Sequence, residues 1–259
     1  MPNEGQHKFW NRAYMDTVWP HLEQVSDNGT PLLLAAANAQ PGERILDVGC
    51  GGGKTTLALA AAVGASGSVV GIDISEPMIA LAHQRLAEHP ASNASFVAAD
   101  AQVHQWDASF DAVVSQFGCM FFDAPERAYS NLASALVPSG RLACVVWQEA
   151  EKMDWMPNRL LQPLMPQAES PINPHALADP DYVQNLLSQA GFTNISSMPQ
   201  DVTAHVGENF LQDAFTVDLV EPEHRDEARA IVAEHKARFR DGDLYSVTLP
   251  MLVITARKA

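Results

Sequence analysis

The sequence predicts a Rossmann-like α/β fold in which a mostly parallel sheet lies between two layers of helices. Apolar segments of strand length alternate with helical segments over residues 44–147, and this alternation is typical of a parallel sheet covered on both faces. A glycine-rich turn at residues 49–53 follows the first strand, at the position where such sheets bind ligands. We therefore expect a three-layer sandwich with a ligand site at the carboxyl ends of its strands.

The first five strands are predicted from short apolar runs that are bounded by turns or glycines. They cover residues 44–48, 69–73, 95–99, 110–115 and 141–147. The segments between them contain many alanine and leucine residues, which favour helices. Ser75 is a suitable N-cap for the helix that follows the second strand.

The regular alternation of strands and helices is interrupted after residue 147. Five prolines between residues 149 and 178 exclude one long helix, because proline removes a helical hydrogen bond, and they indicate an inserted lid or loop. The rest of the chain is expected to form a helix over residues 180–191, a strand over 193–205, helices over 208–220 and 222–239, and a last strand over 245–256.

The N-terminal segment is predicted to be helical. Residues 5–24 carry one apolar stripe at helical spacing, and Pro20 is expected to end this helix or to lie close to its end. A second helix is expected to begin with Thr30 as its N-cap and Pro31 in its first turn. The chain is thus predicted to be one domain with four segments. These are an N-terminal helical lid (1–40), a ligand-binding core (41–148), a lid insertion (149–178) and a segment that completes the sheet (179–259).

Charge and composition disfavour several classes of partner. Acidic residues outnumber basic ones 31 to 16, and a field of this sign repels phosphate backbones, so a nucleic-acid partner is disfavoured. No apolar run reaches the roughly 18 residues that span a bilayer, and residues 1–10 lack the apolar core of a signal peptide. We therefore expect a cytoplasmic protein without a membrane partner. Cys50, Cys119 and Cys144 are far apart in sequence, so neither a disulfide framework nor a metal site is expected.

The glycine-rich turn allows three functional interpretations. A P-loop is disfavoured because Val48 stands where that motif requires its first glycine. A dinucleotide-binding turn fits Gly49 and Gly51, but Lys54 stands where close helix packing requires a small residue. The third interpretation is a G-x-G-x-G loop formed by Gly49, Gly51 and Gly53. A plain turn is a poor explanation, because four glycines in five residues cost chain entropy without a gain in packing.

The third interpretation is strengthened by a resemblance that extends over the whole predicted core. The chain resembles class I S-adenosylmethionine-dependent methyltransferases of the ubiquinone/menaquinone-biosynthesis type. The resemblance rests on the segments ILDVGCGGG (45–53), VVGIDIS (69–75), FVAADAQ (96–102), FDAVVSQFG (110–118) and LVPSGRLACVVW (136–147). Ser139 departs from the family pattern, in which a second glycine usually follows the proline. The family fold implies a seven-stranded sheet whose last strand is reversed.

The resemblance also implies a cofactor, S-adenosyl-L-methionine, which is converted to S-adenosyl-L-homocysteine. Asp47 and the loop of Gly49, Cys50, Gly51, Gly52 and Gly53 would hold its methionine part. Asp73 would accept hydrogen bonds from the ribose hydroxyls. The adenine would contact Ile74, Met78, Asp100 and Ala101, and the sulfonium and substrate would contact Ser115 and Phe117.

The methyl acceptor is expected to be a small apolar or aromatic molecule. Aromatic and methionine residues follow the fourth and fifth strands, at the edge where ligands bind. They are Phe117, Met120, Phe121, Phe122, Trp147, Met153, Trp155, Met156 and Met165. His104 is the first candidate for a general base, and Tyr14 is a weaker one. An NAD(P)-dependent oxidoreductase and a cofactor-binding protein without catalysis remain as alternatives.

Overall fold

The computed structural model of the protein describes residues 3–12, 15–107, 109–166, 173–211 and 216–259. Eight strands of this part of the chain form one sheet. The strands are β1 (Arg44–Val48), β2 (Ser68–Asp73), β3 (Ala94–Ala98), β4 (Phe110–Gln116), β5 (Leu136–Trp147), β6 (Phe192–Val206), β7 (Arg240–Asp241) and β8 (Leu244–Lys258). Their order in the sheet is β3-β2-β1-β4-β5-β8-β6, and β7 pairs with β8.

The last strand runs against its neighbours, as the resemblance implies. Strands β1 to β5 pair in parallel, whereas β8 is antiparallel to both β5 and β6. The predicted α/β fold with a reversed last strand is therefore confirmed. The short strand β7 was not predicted, and it forms a hairpin with β8 through the turn that contains Gly242.

Helices cover both faces of the sheet. They are α1 (Glu4–Trp10), α2 (Met15–Ser26), α3 (Thr30–Ala37), α4 (Lys54–Val63), α5 (Glu76–Glu88), α6 (Pro125–Ala135), α7 (Asn158–Leu161), α8 (Pro180–Gln189) and α9 (Arg225–Ala237). No helix in the described part of the chain is both long enough and apolar enough to cross a membrane.

Consecutive residues of the central strands pack into two different cores. Val113 belongs to the apolar cluster that includes residues of α6 and α8. Its neighbour Val114 belongs to the cluster that includes residues of α3 and α4. Both valines are fully buried, because successive side chains of a strand point to opposite faces. This two-sided burial explains why the strands read as continuous apolar runs.

The structure corrects the prediction for the N-terminal helices. The expected single helix is two helices, and Pro20 lies inside α2, which continues to Ser26. Tertiary contacts beyond the proline hold this extension, since Val25 is buried in the core and Glu23 is bonded to Arg85. The expected cap at Thr30 is also wrong. Thr30 is the first residue of α3, and its hydroxyl donates to Gln116 Oε1 at 3.0 Å instead.

The predicted helix over residues 208–220 differs from the observed conformation. Residues 207–211 form turns, a short 3-10 helix covers Val217–Leu219, and residues 212–215 lie outside the described part of the chain. Val217 is fully buried in a small apolar cluster with residues of α7 and α9. Packing of this segment against two helices therefore replaces the expected amphipathic helix. The predictions of α8, β6, α9 and β8 are confirmed within a few residues.

Candidate functional site

A cavity of about 270 Å³ lies at the carboxyl ends of the parallel strands. Its wall includes Val48 of β1, Asp73 of β2, Gln116 of β4 and Trp147 of β5. The N-terminal helices and the segment after β5 also contribute residues to the wall. Five carboxylates line the cavity, and we call the part around Asp47, Asp73 and Asp100 its polar half. We call the part that contains Phe117, Trp147, Trp155 and Phe210 its aromatic half.

The glycine loop brings two backbone segments into close contact. Gly49 has a φ of +69°, and a Cβ atom at this position would lie only 2.6 Å from the Cα atom of Gly118. No side chain fits in that space, so the loop after β1 can pack directly on the loop after β4 only with glycine at position 49. Gly49 and Cys50 line the cavity.

The other three glycines of the loop do not line the cavity. A Cβ atom at Gly51 would overlap the ring of Trp19, and one at Gly53 would overlap the ring of Phe96. Gly52 is covered by Arg85, whose guanidinium donates to its carbonyl oxygen at 3.0 Å. These glycines were predicted to hold the methionine part of the cofactor. Their open sides lie against neighbouring helices and β3, and a contact between their backbone and the cofactor stays a prediction.

Asp47 is a buried carboxylate with one free oxygen. Its Oδ2 accepts a hydrogen bond from Thr56 at 2.7 Å, whereas Oδ1 has no partner among the described residues. Burial raises the pKa of Asp47 to about 7; the hydrogen bond from Thr56 opposes this rise and the charge of Asp73 adds to it. Asp47 lines the cavity, so its free oxygen is suited to a cationic or hydrogen-bond-donating group of a ligand.

Asp73 holds the glycine loop and the following helix in place. Its Oδ2 accepts from the Gly51 N–H at 2.8 Å, and its Oδ1 accepts from the Ser75 N–H at 2.9 Å. Burial raises the pKa of Asp73, and these backbone hydrogen bonds counteract part of the rise. Each carboxylate oxygen can accept a second hydrogen bond. Asp73 therefore combines a structural function with the capacity to bind two hydroxyl groups in the cavity.

Asp100 provides a second free carboxylate oxygen in the same cavity. Its Oδ1 accepts from the Gln102 N–H at 2.9 Å, and its Oδ2 is buried without a partner among the described residues. Burial raises the pKa of Asp100. Ala101, Ile74 and Met78 also line this part of the cavity, so the predicted adenine-binding residues lie together.

Ser115 has a structural role between two strands. Its hydroxyl donates to the Val48 carbonyl oxygen at 2.7 Å and accepts from the Cys119 N–H at 2.9 Å. It is almost fully buried and does not line the cavity. The expected contact with the cofactor is therefore not favoured by the geometry. Phe117, in contrast, lines the cavity at the boundary between its two halves.

Aromatic side chains form most of the second half of the cavity. The ring of Phe117 stacks on Trp147 with a centroid distance of 4.2 Å and an interplanar angle of 16°. Trp147 contacts Trp155, which in turn contacts Phe210. Trp155 is 4% exposed, and its Nε1–H donor has no partner among the described residues. This half therefore presents stacked rings and one buried hydrogen-bond donor.

Ion pairs fasten helix α2 over the glycine loop. Glu23 bonds the Arg85 guanidinium through both oxygens at 2.6 and 2.7 Å. Lys54 bonds Glu23 at 3.0 Å and Asp27 at 2.7 Å. Burial alone would raise the pKa of Glu23, but the hydrogen bonds from Arg85 and Lys54 outweigh it and lower that pKa. Helix α2 is thus joined to α4 and α5 on either side of the loop.

Several residues of the cavity wall were not identified from the sequence. Asn3, Trp10 and Trp19 come from the N-terminal helices, and Phe210 comes from the turn after β6. Their positions depend on how distant segments fold back over the sheet. The aromatic character of Trp10 and Trp19 at helical spacing was the available signal. It placed both residues in a predicted lid over the acceptor without identifying which of them line the cavity.

The two candidate bases have different outcomes. His104 does not line the cavity; its ring packs edge-on against Trp106 with a centroid distance of 4.7 Å. The geometry therefore does not favour His104 as a base. Tyr14 lies outside the described residues, so its role stays a prediction. Within the described ranges, no group of three or more His, Cys, Asp or Glu residues is arranged to hold a metal ion.

Comparisons with known proteins agree with this geometry. Residues 45–140 match a protein-family model described as a methyltransferase domain. Nocamycin O-methyltransferase of Saccharothrix syringae is 27% identical over 248 residues, which cover 87% of this chain and 89% of that protein. Demethylmenaquinone methyltransferase of Shouchella clausii is 35% identical over 141 residues, which cover 54% of this chain and 52% of that protein. The match to this quinone methyltransferase thus spans about half its length.

A solved structure shows the same fold. The YcgJ protein of Bacillus subtilis superposes with a TM-score of 0.63 at 18% sequence identity, over 90% of this chain and 98% of that one.

The fold, the cavity and the sequence matches together define a class I S-adenosylmethionine-dependent methyltransferase. Within that class, the core of this chain is similar to methyltransferases of the ubiquinone/menaquinone-biosynthesis type, and its methyl acceptor is a small molecule. The oxidoreductase alternative receives no support from these matches.

Proposed function

We propose that the protein transfers a methyl group to an oxygen of a planar aromatic molecule. The observation that carries this proposal is the aromatic half of the cavity, where Phe117 lies parallel to Trp147 and the row of rings continues to Trp155 and Phe210. Offset or parallel aromatic contacts favour a flat, apolar ligand. The name of the nocamycin O-methyltransferase, which aligns over most of this chain, supports an oxygen acceptor.

The polar half of the cavity fits the cofactor. S-adenosylmethionine carries an ammonium group, two ribose hydroxyls and an adenine amine, and the free oxygens of Asp47 and Asp100 require such donors. In this proposal Asp47 binds the ammonium, Asp73 binds the ribose and Asp100 binds the adenine amine. When bound, the cofactor supplies an electrophilic methyl group on a good leaving group.

Trp155 is proposed to orient the acceptor. A buried indole N–H without a partner carries a desolvation cost that a hydrogen bond from a ligand removes. Indole nitrogen is a donor only, so the matching group on the acceptor is an oxygen with a free lone pair, such as a ring carbonyl or a phenolate. Gln116 also lines the cavity, and its amide is held in place by bonds to Thr30 and to the Ser26 carbonyl oxygen.

The acceptor is further proposed to be acidic. Among the described residues that line the cavity there is no histidine or tyrosine, and Lys54 and Glu23 are engaged in ion pairs. A phenol or enol that ionises near neutral pH needs little help from a base. The protein then contributes orientation and exclusion of water, and helix α2 and the segment around Trp155 cover the reacting atoms.

A transfer assay with labelled cofactor tests the proposal. The acceptors are 2-hydroxy-1,4-naphthoquinone, 1-naphthol, 1-naphthylamine and cyclohexanol. We expect label on the oxygen of the two hydroxylated aromatic compounds and higher kcat/KM for the more acidic quinone. Exclusive labelling of the amine or of cyclohexanol would refute the aromatic-oxygen assignment.

The role of Trp155 is tested with a matched pair of substitutions. Trp155→Phe removes the unpaired donor and should lower kcat/KM about tenfold. Trp106→Phe is the control, because Trp106 already donates to the Asn131 carbonyl oxygen at 3.2 Å and does not line the cavity. Equal effects of the two substitutions would show that Trp155 has no specific role in orientation.

A further inference from the structure

Helix α1 lies across the proposed adenosine-binding half of the cavity and is attached at both ends. At its beginning, Asn3 Nδ2 donates to Asp100 Oδ1 over 3.5 Å. At its end, Asn11 Nδ2 donates to the Ile74 carbonyl oxygen at 3.1 Å, and the Ser75 hydroxyl donates to the Trp10 carbonyl oxygen at 2.6 Å. The first attachment follows β3 and the others follow β2, so α1 bridges the segment that contains Asp100 and the segment that directly follows Asp73.

Asn3 is a polar residue in an unusual environment. It is only 5% exposed and lines the cavity. Its φ is +60°, in the left-handed region that asparagine tolerates better than most residues. Its side chain makes no capping bond to α1. Capping therefore does not explain why a buried amide stands at this position.

Two acceptor oxygens remain without partners where Asn3 meets Asp100. Asn3 Oδ1 and Asp100 Oδ2 are both buried, and neither has a hydrogen-bond partner among the described residues. The orientation of the Asn3 amide follows from its contact, since the opposite orientation would place its oxygen against a carboxylate oxygen. A ligand group with two N–H donors would satisfy both oxygens.

We propose that Asn3 is a cofactor-binding residue that shares the adenine 6-amino group with Asp100. An exocyclic amine has two hydrogens, one for each free oxygen. The proposal rests on the cofactor placement given under Proposed function, and it adds a consequence for the lid. Because Asn3 directly precedes α1, the bond couples the position of α1 to the presence of the adenine amine.

Calorimetry with two ligands separates this role from a structural one. The ligands are S-adenosylhomocysteine and its 6-deamino analogue, which lacks the amino group. Asn3→Gly is the appropriate substitution, because glycine adopts the left-handed φ without strain. We expect Asn3→Gly to weaken S-adenosylhomocysteine binding about tenfold and to leave the affinity for the 6-deamino analogue unchanged.

The control is Asn11→Ala, which removes one of the bonds at the other end of α1 without changing a residue that lines the cavity. Asn11→Ala should change the affinity for both ligands by the same factor. An equal loss for both ligands in Asn3→Gly, or no loss for either, would overturn the proposal. Failure of the unsubstituted protein to bind S-adenosylhomocysteine would instead refute the cofactor placement itself, and the role of Asn3 with it.

Hydrogen exchange provides an independent measurement of the coupling. In the unsubstituted protein, S-adenosylhomocysteine should slow amide exchange in Glu4–Trp10 more than the 6-deamino analogue does. In Asn3→Gly, the two ligands should protect α1 equally. Greater protection by S-adenosylhomocysteine that persists in Asn3→Gly would contradict the coupling through Asn3.

Discussion

The ring of Phe117 lies parallel to that of Trp147 although the backbone of Phe117 has a φ of +58°. A bulky residue in the left-handed region is uncommon and costs of order 1–3 kcal/mol. The conformation is held by the Phe117 N–H, which donates to the Val145 carbonyl oxygen at 2.8 Å. The strained turn thus places an aromatic ring at the boundary between the two halves of the cavity.

Phe117→Leu should weaken the acceptor site more than the cofactor site. Loss of the stacked ring removes an aromatic contact of about 0.5–1.5 kcal/mol, so KM for an aromatic acceptor should rise by roughly 2- to 12-fold. Phe192→Leu is the control, because Phe192 is a buried core residue that does not line the cavity; it should lower stability without changing KM. Steady-state kinetics measure the difference, and a larger loss of S-adenosylhomocysteine affinity than of acceptor affinity in Phe117→Leu would be contrary to expectation.

Gly49→Ala should destabilise the protein through overlap with Gly118 as well as through backbone strain. Gly242→Ala is the control, since Gly242 has a φ of +61° and nothing lies within 4 Å of a Cβ atom there. We expect about 1 kcal/mol for Gly242→Ala and about 1–3 kcal/mol more for Gly49→Ala because of overpacking. Urea denaturation measures both values. Equal losses would mean that the two backbone segments separate easily.

The raised pKa of Asp47 should make the stability of the cofactor-free protein depend on pH. An aspartate loses its proton near pH 4 in the unfolded state, whereas the folded protein keeps it until about pH 7. The contribution of Asp47 is therefore fully present below pH 4 and is lost as the pH rises to 7. Asp47→Asn removes this dependence. The free energy of unfolding of the variant, minus that of the unsubstituted protein, should therefore increase by roughly 2 kcal/mol between pH 5.5 and pH 7.5. Parallel stability curves would show that Asp47 is ionised throughout.

Glu23→Gln should loosen the lid, because it leaves Arg85 and Lys54 without their shared carboxylate. Glu23 is 5% exposed, and removal of one partner from a buried ion pair lowers the stability by about 3–5 kcal/mol. The loss should be smaller here, because the glutamine amide keeps part of the interaction. Thermal denaturation should show a clear fall in Tm. Glu151→Gln is the control, since its pair with Arg159 is on the surface and should leave Tm unchanged. A similar Tm for both variants would show that the pair at Glu23 does not hold the lid.

The strand ends could be predicted from sequence because their signals are local. Asp47, Asp73 and Asp100 each stand at or just after the end of an apolar run, and the carboxyl ends of parallel strands meet at one edge. Their presence around one cavity follows from strand order alone. The reversal of β8 needed the family resemblance, since an apolar run does not reveal its direction.

The contacts of the N-terminal helices and of the segment after β5 could not be predicted, because they join parts of the chain that are distant in sequence. Glycines 51 and 53 suggested a ligand, but their open sides are filled by Trp19 and Phe96. The sequence around Asn3 and Trp155 contains no signal that a polar side-chain atom of each residue is buried without a hydrogen-bond partner. Pro20 was a local signal for the end of a helix, and packing beyond it, through Glu23, overrides that signal.

The central claim is that the carboxylates around this cavity bind S-adenosylmethionine, and calorimetric titration with S-adenosylhomocysteine tests it most directly. The unsubstituted protein should bind this ligand and should not bind NADH. Asp73→Ala, with its folded state verified by Tm, should weaken binding by about 1.5–3 kcal/mol, which is roughly 10- to 150-fold in Kd. Unchanged affinity in Asp73→Ala, or binding of NADH alone, would contradict the account.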